Sequence, residues 1–106
     1  KHIDDLDLDL VTFANNVRLN FKKTDFEAGK IRLSIRLGAG RLTEPKDKPG
    51  LAYFTDHVFT AGGLGQHSVD DLERILAGKT VGLDLGVVGD AFVFTATTNR
   101  DDLLLQ

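Results

Sequence analysis

Ile31-Arg32-Leu33-Ser34-Ile35-Arg36-Leu37 alternates aliphatic with polar side chains along its whole length. A period of two sends successive side chains to opposite faces of an extended chain, so this stretch predicts a strand with one aliphatic face and one charged face. Half-buried strands of this kind belong to antiparallel sheets, because parallel sheets are covered on both sides.

The same alternation recurs upstream, where Val17, Leu19 and Phe21 interleave with Arg18, Asn20 and Lys22. Asn15-Asn16 is a turn signal that returns Val11–Phe13 to pair with this strand, and Thr24–Gly29 reads as the turn into the next one. Downstream, Gly38-Ala39-Gly40 ends the strand and a polar loop, Thr43–Lys48, leads to Pro49-Gly50. Proline suits the first turn of a helix, where its missing N–H costs nothing. Leu51, Phe54, Val58 and Ala61 then recur near helical spacing, which predicts a helix with Phe54 and Val58 facing the core and Asp56 and His57 outside. Gly62-Gly63 stops it. Ser68 with Asp71 forms a capping-box start for a second helix, whose apolar stripe is Val69, Leu72, Ile75 and Leu76 and whose stop is Gly78.

Val81–Val87 and Ala91–Thr97 read as two more strands around a Val88-Gly89-Asp90 turn. Thr98 or Asn99 is placed to cap a final helix running to Gln106. The order β-β-β-α-α-β-β-(α), cut short at the C-terminus, implies an α+β fold: a mostly antiparallel sheet with helices packed on one face.

A chain of 106 residues suits one domain, and 42% hydrophobic with 27% charged residues is a globular balance. A net charge of −3, with Lys and Arg dispersed among acids, argues against nucleic acid and against an anionic membrane as partners. Cysteine is absent, which removes disulfides, thiolate zinc sites and a cysteine nucleophile together. No apolar run approaches the roughly 20 residues that span a bilayer. The start at Lys1 and the stop within a nascent helix lead to the expectation of a piece excised from a longer protein.

Asp5-Leu6-Asp7-Leu8-Asp9 has the alternate acids of a calcium loop, but an EF-hand starting at Asp5 needs glycine and glutamate where Leu10 and Asn16 stand. Residues 1–10 are therefore expected to be an acidic linker or edge segment, ahead of a folded unit at 11–106. His2 falls in this segment and is expected to be loose and solvated. His67, just before the Ser68 cap, reads as a loop histidine. Gly62-Gly63-Leu64-Gly65 lacks the lysine and hydroxyl of a Walker loop and follows a helix instead of a strand, so it reads as a helix-to-helix connection.

Tyr53-Phe54-Thr55-Asp56-His57 is the stretch closest to a metal motif. Inverted zinc peptidases carry His-x-x-Glu-His, two imidazoles four apart on one helical face beside a carboxylate that activates the water. Here Tyr53 takes the first ligand position, and a phenol with a pKa of about 10 is a poor zinc ligand at neutral pH. Asp56 is one methylene shorter than the glutamate, which leaves His57 as a single good ligand.

The surrounding residues resemble the insulinase/pitrilysin-type peptidases. Asn16-Val17-Arg18-Leu19 is similar to the opening strand of their repeats, Ile31–Gly40 to the second strand, and Lys48-Pro49-Gly50-Leu51-Ala52 to the turn into their zinc helix. Thr24-Asp25-Phe26, Arg41-Leu42-Thr43-Glu44-Pro45 and Ala61-Gly62-Gly63-Leu64-Gly65 look most like the first repeat of the second, non-catalytic half in large bacterial members. The resemblance implies a repeat with Tyr53, Asp56 and His57 at degenerate zinc-motif positions, and with no metal, cofactor or catalytic residue of its own. It implies further a zinc endopeptidase as parent, with zinc in a separate catalytic repeat. Its partners would be the other repeats and a peptide substrate, and a lone repeat would tend to self-associate. The rival expectations are an assembly module with no peptidase activity and a residual metal site at Asp56 and His57. The periplasm and the cytoplasm of a bacterium are both left open.

Overall fold

Hydrogen bonding divides the chain into two small antiparallel sheets with the helices between the last pair of strands and the rest. The computed structural model describes residues 1–106. Its elements are β1 (His2–Ile3), β2 (Leu8–Thr12), β3 (Arg18–Phe21), β4 (Lys30–Gly38), α1 (Leu51–Phe59), α2 (Val69–Ile75), β5 (Asp84–Val87) and β6 (Ala91–Asn99), with short 3₁₀ turns at Asp4–Leu6, Gly40–Thr43 and Thr60–Gly62. The strand orders are β1-β2-β3 and β4-β6-β5. The fold is α+β, as the alternation in the sequence implies.

The first sheet is an arm built on the Asn15-Asn16 turn. Asn16 takes φ 65, a left-handed conformation that asparagine tolerates better than most residues. Phe13 N–H donates to the Val17 carbonyl at 2.9 Å, and Val17 N–H donates to Asn15 Oδ1 at 3.2 Å. The register pairs Val11 with Leu19 and Asp9 with Phe21. The opening segment is more ordered than a linker: His2 and Ile3 pair with Asp9 and Leu8, and His2 Nδ1 lies 2.9 Å from Asp9 Oδ1. His2 is exposed, as expected of a solvated residue, but it is not loose: Asp9 of β2 lies against Nδ1, and Asp4 and Asp7 lie 3.7 and 3.8 Å from Nε2.

The second sheet carries the core. In register, Ile35, Phe94 and Leu85 form one row across β4, β6 and β5, and Leu37, Phe92 and Val87 form the next. Arg32, Arg36 and Asp84 lie on the reverse face, as the period of two requires. α1 lies over the β5 side of the apolar face, where the Phe59 ring meets Phe94 edge-on at a centroid distance of 5.3 Å. The apolar core comprises Ala52, Leu85, Val87 and Ala91.

Four expectations change here. Strand pairing splits what reads as one sheet into two. Only α1 lies on a sheet; α2 leans on the Thr60–Gly62 turn, with its Ser68–Asp71 capping box formed in both directions. β5 begins at Asp84 instead of Val81. Residues 100–105 form turns and not a helix, although Asn99 Oδ1 accepts the Asp102 N–H at 2.8 Å, as an N-cap does.

Asp102 latches this last turn to the loop before β5. Its carboxylate accepts the Thr80 N–H at 2.8 Å and lies 3.4 Å from the Lys79 ammonium. The Thr80 hydrogen bond holds the carboxyl below its ordinary pKa, with the Lys79 charge assisting and burial opposing. A group with a depressed folded pKa binds fewer protons folded than unfolded, so its stabilisation is complete above about pH 4 and is lost as pH falls through the lower folded value. Thermal melts from pH 7 downward are expected to show Asp102→Asn less stable than the wild type at neutral pH, with the gap closing below about pH 4. A constant gap would remove Asp102 from the acid response.

The chain exposes a great deal of surface. Its accessible area is 8720 Å², whereas a compact monomer of this mass exposes about 5,800 Å². Its radius of gyration is 16.6 Å against roughly 13 Å for a compact chain of this length. The excess sits on apolar faces, among them the arm and the β4 side of the second sheet, where Ile35 and Leu37 remain exposed.

Candidate functional site

Gly50, at φ 91, turns the chain into α1, a conformation that suits glycine. With no side chain at the N-cap to help, the first turn is satisfied from a distance: Glu44 Oε1 accepts the Ala52 N–H at 2.9 Å. A carboxylate at a helix N-terminus also complements the helix dipole.

The face of α1 that meets the sheet is Ala52, Thr55, Asp56 and Phe59, a spacing of i, i+3, i+4, i+7. Ala52 is buried and Thr55 and Asp56 are half-buried, while Phe54 is 62% and Val58 42% exposed. Phe54 and Val58 are therefore not core-facing, contrary to the reading by size. The small residues Ala52 and Thr55 let the helix approach the sheet closely, and the larger aliphatics form a second stripe beside the contact.

Tyr53, Asp56 and His57 fall at i, i+3 and i+4 and so share one side of the helix. Their surroundings do not converge on a metal. The Tyr53 hydroxyl accepts a hydrogen bond from Arg41 Nη1 at 2.8 Å, and the guanidinium carbon stands 5.1 Å from the ring centroid. A guanidinium stays charged at any physiological pH, so the phenol oxygen is engaged by a fixed cation. Asp56 is turned toward the sheet and His57 outward. No three His, Asp or Glu side chains come together in an arrangement that could hold a metal ion. The donor set at this helix does not fit zinc: a lone imidazole, a half-buried short carboxylate, and a phenol bound to a cation.

Arg41 is the residue that sequence reasoning missed. It is delivered by the Gly40–Thr43 turn, which folds back so that Arg41 N–H donates to the Val88 carbonyl at 3.2 Å and Leu42 N–H to the Gly89 carbonyl at 3.0 Å. Nothing in the spacing of residues 41 and 53 announces that contact, because it depends on the β5–β6 turn lying alongside.

The remaining concavities offer little chemistry. A groove of about 530 Å³ lies on the polar face of the second sheet, with Arg32, Asp84, Thr95 and Thr97 in its walls, well apart from the Tyr53–His57 helix. Arg32 there is engaged by Glu27 at 2.7 Å, an ion pair that lowers the pKa of the glutamate. The Gly62–Gly65 segment is a helix-to-helix connection, closed by a bridge in which Leu64 and His67 exchange backbone hydrogen bonds of 2.9 and 3.0 Å; this places His67 in a loop. No helix is long and apolar enough to cross a membrane. Comparisons with protein-family models, with curated proteins and with solved structures returned no match.

Proposed function

We propose that this chain is a non-catalytic structural repeat of an insulinase/pitrilysin-type peptidase, a unit that helps to wall a peptide chamber while the chemistry is done elsewhere. The observation that carries the non-catalytic reading is the Arg41 guanidinium on the Tyr53 hydroxyl. A fixed positive charge beside the first-ligand position opposes a divalent cation, over and above the loss of one imidazole. The ancestry rests on the resemblance of residues 16–65 and is compatible with an α+β unit whose α1 follows directly on Pro49-Gly50. On this reading the parent is a zinc endopeptidase acting on peptides. Neighbouring repeats then cover the Leu51, Phe54 and Val58 stripe of α1 and the exposed Ile35 and Leu37 of β4.

The test is a zinc titration by calorimetry. The wild-type chain is expected to give no saturable heat, whereas Tyr53→His combined with Asp56→Glu and Arg41→Ala, which rebuilds His-x-x-Glu-His without the competing cation, is expected to bind zinc. Saturable binding by the wild type that disappears in His57→Ala would overturn the reading in favour of a residual site at Asp56 and His57.

A further inference from the structure

The alternation Val81-Gly82-Leu83-Asp84-Leu85-Gly86-Val87 is unbroken, yet β5 starts only at Asp84. β6 runs on past it: β6 pairs with β4 from Ala91 to Asn99, but with β5 only from Phe92 to Thr95. Continued, the same register sets Leu83 opposite Ala96, Gly82 opposite Thr97 and Val81 opposite Thr98. At the hairpin end, Val88 N–H donates to the carbonyl of Ala91, directly opposite, at 2.9 Å. Hydrogen-bonded and non-hydrogen-bonded pairs alternate along an antiparallel ladder, so Gly86 with Val93 and Asp84 with Thr95 are bonded pairs, and Gly82 with Thr97 is the next in series. Thr97 therefore turns its N–H and carbonyl toward the β5 side, beyond the point where β5 ends. The groove of about 530 Å³ stands there instead of a strand, lined by Thr80, Val81 and Gly82 of one segment and Thr95, Ala96 and Thr97 of the other.

The ladder donors of the missing stretch are engaged elsewhere. Thr80 N–H donates to Asp102 Oδ2 at 2.8 Å, and Gly82 N–H donates to Gln106 Oε1 at 2.9 Å. Residues two apart in an extended chain present their N–H groups to the same side, so these are the two donors that would face β6. Asp102 and Gln106 are joined by their own backbone bond, Gln106 N–H to the Asp102 carbonyl at 2.9 Å, and together they stand in for a strand.

We infer that Val81–Leu83 is a strap poised to close on Ala96–Thr98 as the continuation of β5, and that the side chains of Asp102 and Gln106 are the latch that holds it open. The latch has the advantage of a carboxylate acceptor, whose hydrogen bonds are roughly twice as strong as neutral ones. Glycine at position 82 adds to that advantage, because it weakens a strand. Closure would gain the two backbone bonds of the Gly82–Thr97 pair and bring Leu83, now 44% exposed, into the row of Ala96 and Leu33. It would also fill the groove, which thus exists only while the latch holds.

Amide hydrogen exchange at Thr97 reads the closure, with Val93, already paired with Gly86, as the internal reference. In Asp102→Ala combined with Gln106→Ala, protection of Thr97 relative to Val93 is expected to rise roughly tenfold over the wild type. A nuclear Overhauser contact between the Hα protons of Val81 and Thr98, a non-hydrogen-bonded pair about 4.5 Å apart at Cα when closed, is expected to appear with it. Gly82→Val tests the strap with the latch intact, since Gly82 has no positive φ and open space at its Cβ position. It is expected to raise Thr97 protection in the same direction. Gly82→Pro, which has no N–H to give the ladder, is expected to cancel the rise in the unlatched variant. Thr97 left unprotected beside a protected Val93 in the unlatched variant, or a rise that survives Gly82→Pro, would overturn the proposal. Where loss of the latch removes protection from Val93 as well, an unchanged Thr97 in Gly82→Val overturns it.

Discussion

Gly40→Ala is expected to destabilise the chain by about 3 kcal/mol or more, a fall in melting temperature on the order of 15 °C. Two costs combine. Gly40 has φ +51, a left-handed conformation that costs a residue with a Cβ about 1–2 kcal/mol. A Cβ there would also stand 2.4 Å from Ala91 N, 2.4 Å from the Val88 carbonyl oxygen and 2.8 Å from the Ala91 carbonyl oxygen. All three are backbone atoms of the β5–β6 hairpin, so no rotamer change relieves the clash. Gly29→Ala separates the two costs, because Gly29 has φ +75 with nothing within 4 Å of its Cβ position. It is expected to lose only about 1–2 kcal/mol. Equal losses in the two variants, measured by urea denaturation, would show that the close approach at Gly40 contributes nothing.

The same glycine controls the candidate site. Its close approach allows the Gly40–Thr43 turn to hydrogen-bond along Val88 and Gly89, and that turn carries Arg41 to Tyr53. Tyr53 is the sole tyrosine and the chain has no tryptophan, so its fluorescence reports the contact without interference. The occupant of the first-ligand position is thus set by backbone fit at residue 40 as much as by the loss of histidine at residue 53.

What was legible in the sequence follows from which physical signals are local. Alternation at Ile31–Leu37 states which face a side chain takes, and that face is correct throughout β4. The Asn15-Asn16 turn and the Ser68–Asp71 capping box are also local, since each is a hydrogen-bond pattern within a few residues. Alternation does not state which strand lies alongside, so the split into β1-β2-β3 and β4-β6-β5 had no local signature. α1 shows a subtler failure. Counting large aliphatics selects Leu51, Phe54 and Val58, whereas burial is decided by the side that can approach the sheet, and Ala52 and Thr55 make that side thin. At the site, the deficits of Tyr53 and Asp56 were readable from chemistry alone. Arg41 was not, because it arrives through a turn fixed by a distant hairpin.

Leu85→Ala tests what holds α1, and with it Tyr53, Asp56 and His57, against the sheet. Leu85 is 7% exposed and sits in register with Phe94, whose ring in turn meets Phe59 near the end of α1. Removing its isobutyl group takes away buried methylenes and leaves a void between β5 and the helix, a change that typically costs about 2–4 kcal/mol. In most domains such a loss is absorbed within a total of roughly 5–15 kcal/mol. Here the apolar core has only three other members, Ala52, Val87 and Ala91, so the expected result is partial loss of structure at ambient temperature. The first loss should be α1 and not the arm, because the arm shares no extensive packing with Leu85. Amide hydrogen exchange resolves the order: protection at Phe54–Phe59 is expected to fall well below that of Leu10–Val11 in Leu85→Ala. A uniform drop in protection across both regions would mean that the arm and the second sheet unfold as one unit, and that α1 is not held by this contact alone.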